Sequence, residues 1–276
     1  MAITGKEFNY IRNLVREGSA LVLEPGKEYL VESRLHLLAR REGVASIQEL
    51  LARLRADASG GLQRKVVEAM ITAETTFFRD VRPFDSLRKV VLPEILARRT
   101  SDRTLNLWCA ATSAGQEPYS VAMMLRENFP ATVGWNVRFI ASDLSRELLE
   151  RAREGRYSQL EVNRGLPAAL LVKYFRKCGS EWQIHAGIRS MVEFQEINLA
   201  KPWPALPRMD IILMRNVLIY FDIETKKIIL QLARRLLKPD GCLFLGGSET
   251  TIGLNDSFEP LTNDRPCCFR LRESCP

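Results

Sequence analysis

Thr104-Leu105-Asn106-Leu107-Trp108-Cys109-Ala110-Ala111-Thr112-Ser113-Ala114-Gly115-Gln116-Glu117-Pro118-Tyr119-Ser120 decides the fold. Leu105, Leu107 and Cys109 alternate with residues that need no burial, and the run stops at a row of small side chains, which predicts a strand ending in a tight loop. A helix follows. Pro118 suits its first turn, where a missing N–H costs nothing, and Val121, Ala122, Met124 and Leu125 have the spacing of a buried face. The loop from Ala110 to Gly115 carries almost no bulk, so a ligand can lie against its backbone at the carboxyl end of the strand, where open α/β sheets bind ligands. Gly115 is its one glycine; the G-x-G-x-x-G and G-x-x-x-x-G-K-[ST] patterns are absent, which argues against a pyrophosphate. Glu117 puts a carboxylate at the helix start and favours a ligand bearing a cation, such as S-adenosylmethionine (SAM) with its ammonium and sulfonium. The plainer reading of Glu117 is an acid that complements the helix dipole.

The 276 residues leave room for one large domain or one with a smaller companion, and 46% hydrophobic with 26% charged residues is an ordinary globular composition. No apolar run approaches the ~18 residues of a membrane span, and Met1 to Glu7 enters a polar amphipathic segment rather than a signal peptide. A cytoplasmic protein, not itself a membrane protein, is expected. The six cysteines (Cys109, Cys178, Cys242, Cys267, Cys268, Cys275) show no C-x-x-C spacing, and only His36 and His185 are available. Neither a metal site nor a histidine base is expected. The net charge of +7 is uneven: Arg34, Arg40, Arg41, Arg53, Arg55, Arg64 and Lys65 face only Glu42, Glu49 and Asp57 between residues 34 and 65. Such a face suits an acidic partner or is simply a solvated helix face.

Residues 1–72 read as a helical domain. Thr4 to Glu7 and Ser46 to Glu49 are capping boxes; Phe8, Ile11, Leu14 and Val15, then Leu30, Leu35 and Leu38, then Leu50, Leu51 and Leu54, and finally Leu62, Val66, Ala69, Met70 and Ala73 mark four helices. Residues 73–100 form a linker and a further helix. There Glu74-Thr75-Thr76-Phe77-Phe78-Arg79-Asp80 holds two rings that need burial and an arginine that needs an acceptor, and Phe84, Leu87, Val90 and Val91 give an inward face, with Pro93 restarting or kinking the helix. Within 101–276, Asn136 to Ala141 is a second strand that delivers Asp143, placed either to accept from ribose hydroxyls or to cap the helix from Arg146 to Arg153. Residues 156–195 read as an inserted helix plus hairpin, its strands Trp182 to His185 and Ser190 to Gln195 joined around Gly187. Asp210 to Met214 is a central parallel strand, Asp222 caps a helix that runs through Ile228, Ile229, Leu232 and Leu236, and Cys242 to Leu245 is the next strand. Glu249 to Leu261 and Cys267 to Leu271 are expected as a closing helix and an antiparallel strand.

Four stretches in series resemble the chemoreceptor glutamate methyltransferases of bacterial chemotaxis, the CheR family. They are Glu74 to Asp80, Trp108 through Ser120, Met214-Arg215-Asn216-Val217-Leu218-Ile219-Tyr220-Phe221, and Leu237 to Gly241 with Ser248-Glu249. The likeness runs from about Thr4 to Arg272. It implies a Rossmann-like class I SAM-dependent methyltransferase domain of α/β class, an N-terminal all-helical domain and a small inserted antiparallel β subdomain. Carried over by position, Thr75 and Arg79 hold the methionine carboxylate of SAM, Glu117 its ammonium, Asp143 the ribose, and Asn198 with Leu199 the adenine. Arg215 and Asn216 wall the pocket. Arg79 and Tyr220 are the candidates for catalytic alignment, a core ring being the plainer reading of Tyr220. The implied reaction esterifies glutamates on the cytoplasmic helical bundle of a methyl-accepting chemoreceptor and leaves S-adenosylhomocysteine, and the partner would meet Arg34, Arg40, Arg41, Arg53 and Arg55. Ala73 departs from the family's frequent asparagine, and Gln116-Glu117 from its paired glutamates. A SAM enzyme acting on nucleic acid and a non-catalytic SAM-binding sensor or scaffold are the alternatives. Nucleic acid is not the expected partner, because no basic-aromatic stacking stretch is present.

Overall fold

Thr4 accepts from the Glu7 N–H at 3.3 Å while the Glu7 carboxylate takes the Thr4 N–H at 2.8 Å, so the first helix opens with a full capping box. The computed structural model describes residues 3–262 and 266–272, and Cys275 lies outside them. Helix α1 (Gly5–Ser19) is followed by α2 (Glu28–Arg41), α3 (Ile47–Ala56) and α4 (Gly61–Ala69). Ser46 caps α3, but the Glu49 carboxylate turns to the Ala45 N–H, so the second box is half made. Ile11, Val15, Leu35, Leu50, Leu51, Leu54 and Val66 are fully buried among these helices. Helix α4 ends short of the expected Ala73, which is exposed: the Arg34 guanidinium takes the Met70 carbonyl at 2.5 Å and the Thr72 hydroxyl at 3.1 Å, occupying an acceptor that a further turn would need. Tyr220–Thr225 belongs to this same unit, Met1–Thr72: the Tyr220 carbonyl accepts from Val22 at 2.9 Å and Asp222 pairs with Arg16 at 3.1 Å.

The second unit, Ala73–Ile219 with Lys226–Pro276, begins its regular structure with α5 (Val81–Ser86), a π turn over Leu87–Val91 and α6 (Leu92–Arg98). Pro93 cannot donate and its ring crowds the preceding turn, so the Leu92 N–H reaches back five residues to the Leu87 carbonyl and the helix widens. The extra residue turns Val90 outward; it is 39% exposed, where the sequence placed it on the buried face.

The chain continues through β1 (Thr104–Ala110), α7 (Gln116–Asn128), β2 (Asn136–Asp143), α8 (Arg146–Glu154), β3 (Arg156–Ser158), α9 (Gln159–Asn163), α10 (Ala168–Tyr174) and β4 (Phe175–Cys178). Then come β5 (Glu181–Ile184), α11 (Ala186–Arg189), β6 (Glu193–Glu196), β7 (Met209–Leu213), α12 (Ile223–Leu236), β8 (Leu237–Phe244), β9 (Phe258–Pro260) and β10 (Cys268–Leu271). Among the described residues the strands form a seven-stranded sheet, β6-β2-β1-β7-β8-β10-β9, and a three-stranded sheet, β3-β5-β4. Neighbours from β6 to β8 are parallel; β8, β10 and β9 pair antiparallel. Strand β1 sits between β2 and β7, with Cys109 opposite Ala141 and Leu213, so the order of strands reverses at β1 and opens the crevice expected of a doubly wound fold.

The expected hairpin within 156–195 is corrected. Residues 193–196 are a strand, but they pair parallel with β2, Ile140 opposite Glu193, and join the large sheet. The small hairpin is β4–β5, with Lys177 opposite Trp182, and β3 adds to it. Alternation identifies a strand and its faces, not its neighbour. On α12 Ile228 is 59% exposed while Ile229, Leu230 and Ala233 face the core. No helix forms in 249–261: the Leu254 and Asn255 N–H groups close on the Thr251 carbonyl in a single turn before β9.

Candidate functional site

The loop after β1 folds tightly because alternate residues take left-handed backbone: Ala111 at φ 55°, Ser113 at 51° and Gly115 at 91°. Two of these are not glycine, and such strain persists only where surroundings enforce it. Here they do. The Thr112 N–H donates to the Ser142 carbonyl at 2.9 Å, the Ser113 N–H to the Asp143 carboxylate at 2.8 Å, and the Tyr157 hydroxyl to the Ala114 carbonyl at 2.8 Å. At Gly115 a Cβ would stand 3.0 Å from the Ala152 methyl, so α8 packs against bare backbone.

Asp143 is 5% exposed at the end of β2, one oxygen on the Ser113 N–H and the other on the Ser145 N–H at 3.0 Å. Ser145, not Asp143, caps α8, through the Leu148 N–H. The Ile197 N–H donates to the Asp143 carbonyl at 3.1 Å, which draws Asn198 and Leu199 to the same edge of the loop. The Leu199 carbonyl accepts from the Trp203 indole at 3.1 Å, and Trp203 meets Trp108 edge-on at 4.7 Å.

Residues 73–80 are tied by one bond each to the loop, to α7 and to the segment after β7. The Ser113 hydroxyl donates to the Ala73 carbonyl at 2.8 Å, the Phe78 N–H to the Ser120 hydroxyl at 2.9 Å, and the Arg215 guanidinium to the Arg79 carbonyl at 2.8 Å. Phe77 is fully buried against Tyr157 and Phe175, ring centroids 5.0 and 5.7 Å away. Arg79 finds the acceptor its sequence context demanded in the Glu74 carbonyl at 3.0 Å, and it and Thr75 remain partly exposed.

Arg215 is the hub. Its side chain, 1% exposed, pairs with Glu117 and with Asp80 at 2.7 Å, beside the Phe84 ring. Burial, the largest influence, works against its charge, but Glu117, Asp80 and Cys109 more than compensate and raise its pKa. The other Glu117 oxygen receives the Cys109 thiol at 3.2 Å, and burial first and Glu117 second push that thiol well above its ordinary range. Glu117 thus has internal partners at the place the resemblance assigns to the cofactor ammonium, with lone pairs to spare. Asn216 follows at φ 58°; its N–H, with those of Gly246 and Ile219, donates to the Glu249 carboxylate at 2.7, 2.6 and 3.3 Å.

The structure therefore brings Thr75, Arg79, Glu117, Asp143, Asn198, Leu199, Arg215 and Asn216 together at the carboxyl ends of β1, β2, β6 and β7. Tyr220 is grouped with the helical unit. Of the basic residues, Arg34 is turned inward, Arg53 pairs with Glu49 at 2.7 Å, Arg55 lies over the Tyr10 ring, and Arg40 and Arg41 are exposed. Sequence reasoning gave no role in the site to Asp80, Cys109 or Glu249; all three stand in the quoted motifs, but Asp80 and Glu249 reach partners distant in the chain, Arg215 for the one and the Asn216 and Ile219 N–H groups for the other.

The residues fit SAM. The buried Thr112 hydroxyl, the Gln116 side-chain oxygen and the Arg215 Nε have no hydrogen-bond partner among the described residues, a cost of about 1–3 kcal/mol each that a ligand rich in hydroxyl, amino and carboxylate groups relieves. Residues 73–267 match the family model "CheR methyltransferase, SAM binding domain" and residues 6–71 match "CheR methyltransferase, all-alpha domain". The chain is 39% identical to the chemotaxis protein methyltransferase Cher2 of Pseudomonas putida, over 94% of this chain and 95% of that one. It is 40% identical to chemotaxis protein methyltransferase 1 of Pseudomonas aeruginosa over the same shares, and 34% identical to the chemotaxis protein methyltransferase of Vibrio parahaemolyticus over 99% of both.

Proposed function

The chain belongs to the CheR methyltransferase family, and on that premise we propose that this SAM-dependent methyltransferase of chemotaxis esterifies glutamate side chains on the cytoplasmic bundle of a chemoreceptor. The observation that carries the site is the strained loop 110–115, clamped between Asp143 and residues 73–80. Asp143 accepts from the ribose hydroxyls, Asn198 and Leu199 border the adenine, Thr75 and Arg79 hold the methionine carboxylate, and Glu117 faces the ammonium. Arg215 and Asn216 form the wall. SAM supplies an electrophilic methyl on a cationic sulfur. A glutamate carboxylate, with an ordinary pKa of about 4.3, already carries the attacking pair at neutral pH, so no residue here acts as a base.

Cation and anion become neutral as the methyl moves, and a poorly hydrated wall favours that change. The buried Arg215–Glu117 pair, closed by Cys109 and Phe84, supports such a wall. Arg79 fixes the cofactor end, and Tyr220, proposed on its motif alone, donates to the spare oxygen of the attacking carboxylate. Arg40 and Arg41 are the proposed receptor-facing charges; Arg34 already serves its own unit. A cytoplasmic location follows from this substrate, and among the described residues no helix is long and apolar enough to cross a membrane.

The test is incubation with methyl-labelled SAM and chemoreceptor membranes. Carboxyl esters hydrolyse in alkali and N-methyl groups do not, so alkali-labile label on a receptor, lost in Arg79→Ala, is the expected result. Alkali-stable label, or label on RNA, overturns the assignment.

A further inference from the structure

At the amino ends of β7 and β8, away from the loop after β1, lies a groove of about 1170 Å³. Six arginines border it: Arg98, Arg208, Arg234, Arg235, Arg270 and Arg272. Glu94 and Asp240 pair with Arg98 at 3.3 and 3.6 Å, and Glu259 pairs with Arg270 at 3.0 Å. Arg208 donates to the Leu237 carbonyl at 3.0 Å. The side chains of Arg234, Arg235 and Arg272 make no ion pair among the described residues, so three like charges converge on one concavity. A low-dielectric wall focuses such a field and draws in an anion. Apolar side chains line it as well: Ile95, Leu237, Leu261 and Leu271.

We propose that this groove receives a segment of a partner protein in which acidic and apolar side chains alternate. Its volume exceeds the roughly 300–1,000 Å³ of a small-molecule site. The carboxylates of Glu94, Asp240 and Glu259 stand among the arginines and disfavour an unbroken line of phosphates. The apolar lining has nothing to offer a purely ionic ligand, whereas leucine-like side chains bury against it as flanking glutamates or aspartates meet the guanidiniums of Arg234, Arg235 and Arg272. This assignment does not depend on the methyl-transfer site.

The experiment uses the full chain and a fluorescein-labelled peptide of alternating glutamate and leucine, followed by anisotropy. A glutamate–serine peptide, a lysine–leucine peptide and inorganic tripolyphosphate are the comparisons. The glutamate–leucine peptide is expected to bind best, and combined Arg234→Gln, Arg235→Gln and Arg272→Gln to weaken it on the order of tenfold, with lysine at the three positions restoring most of the loss. Hydrogen exchange should slow in residues 257–261 and 268–272. Unchanged SAM binding by the variants shows that they are folded. Failure of the wild type to bind the peptide, binding indifferent to the three substitutions, or equal binding of the glutamate–serine peptide and tripolyphosphate overturns the proposal, the last by making this a small-anion site.

Discussion

Glu249→Gln is expected to unfasten the wall of the site without touching any group that contacts a ligand. One Glu249 oxygen accepts from Asn216 at 2.7 Å and Gly246 at 2.6 Å, and the other from Ile219 at 3.3 Å. Glutamine keeps one acceptor and turns an NH2 toward the remaining N–H. Two bonds lose roughly 1 kcal/mol each of charge assistance and one is lost outright, for a total of about 2–3 kcal/mol. Glu249→Ala leaves three donors near the 7%-exposed site of the missing carboxylate, and about 4 kcal/mol is expected. All four tryptophans, Trp108, Trp135, Trp182 and Trp203, lie in the sheet-bearing unit, so fluorescence during urea unfolding reports that unit alone. With Asn216 freed from φ 58°, Arg215 loses its fixed approach to Glu117, and SAM affinity by calorimetry should fall about tenfold, equivalent to 1.4 kcal/mol. Stability within about 0.5 kcal/mol of wild type together with unaltered SAM affinity would refute the assignment of Glu249 as the fastener.

Tyr220→Phe should lower kcat at least tenfold while SAM affinity holds, since the proposed hydroxyl acts on the acceptor; unchanged turnover removes Tyr220 from the mechanism. Asp143→Asn should weaken SAM on the order of tenfold to a hundredfold in calorimetry, as one oxygen that serves the ribose and the Ser113 N–H becomes a donor. At Gly165, φ is +87° and a Cβ would stand 2.0 Å from the Phe77 carbonyl oxygen, so Gly165→Ala should cost about 3 kcal/mol in urea unfolding and loosen SAM by displacing the segment that carries Arg79. For Glu161, burial alone would raise the pKa, but the Ser158 N–H and hydroxyl and the Arg151 guanidinium outweigh it and hold it below the usual range. The folded value is depressed, so the stabilisation is present above the unfolded pKa of about 4.3 and is lost as pH falls through the folded one. The Trp182 indole, bonded to Gln159 at 2.8 Å in the same small helix, should report this loss by NMR in the wild type and not in Glu161→Gln.

The strand, loop and helix around Ala110 to Gly115 were legible because burial alternation, small residues and helical spacing are local signals, and Asp143 was legible because it stands one strand further on. The capped helices of the first unit were legible for the same reason. Partnership was not. Residues 193–196 read as a strand, but nothing local says whether β5 or β2 lies beside them. Arg215 and Glu117 are 98 positions apart, and their pairing gives no periodic trace. Glu249 was hidden for another reason: its three partners are backbone N–H groups, which every residue except proline has. Val90 and Ala73 were misplaced because a π turn and an arginine on a helix-end carbonyl shift a helix face or boundary without altering hydrophobic spacing.

The Tyr157 hydroxyl on the Ala114 carbonyl joins the first strand of the small sheet to the loop that rests against Asp143. Coupling across such a bond is reciprocal. If an occupant of the small sheet changes the loop's affinity for SAM by some factor, SAM changes the affinity of the small sheet for that occupant by the same factor. A ligand of the small sheet that is coupled to the loop can therefore be found by titrating SAM alone and watching its apparent affinity shift, and one that leaves that affinity unmoved binds without coupling.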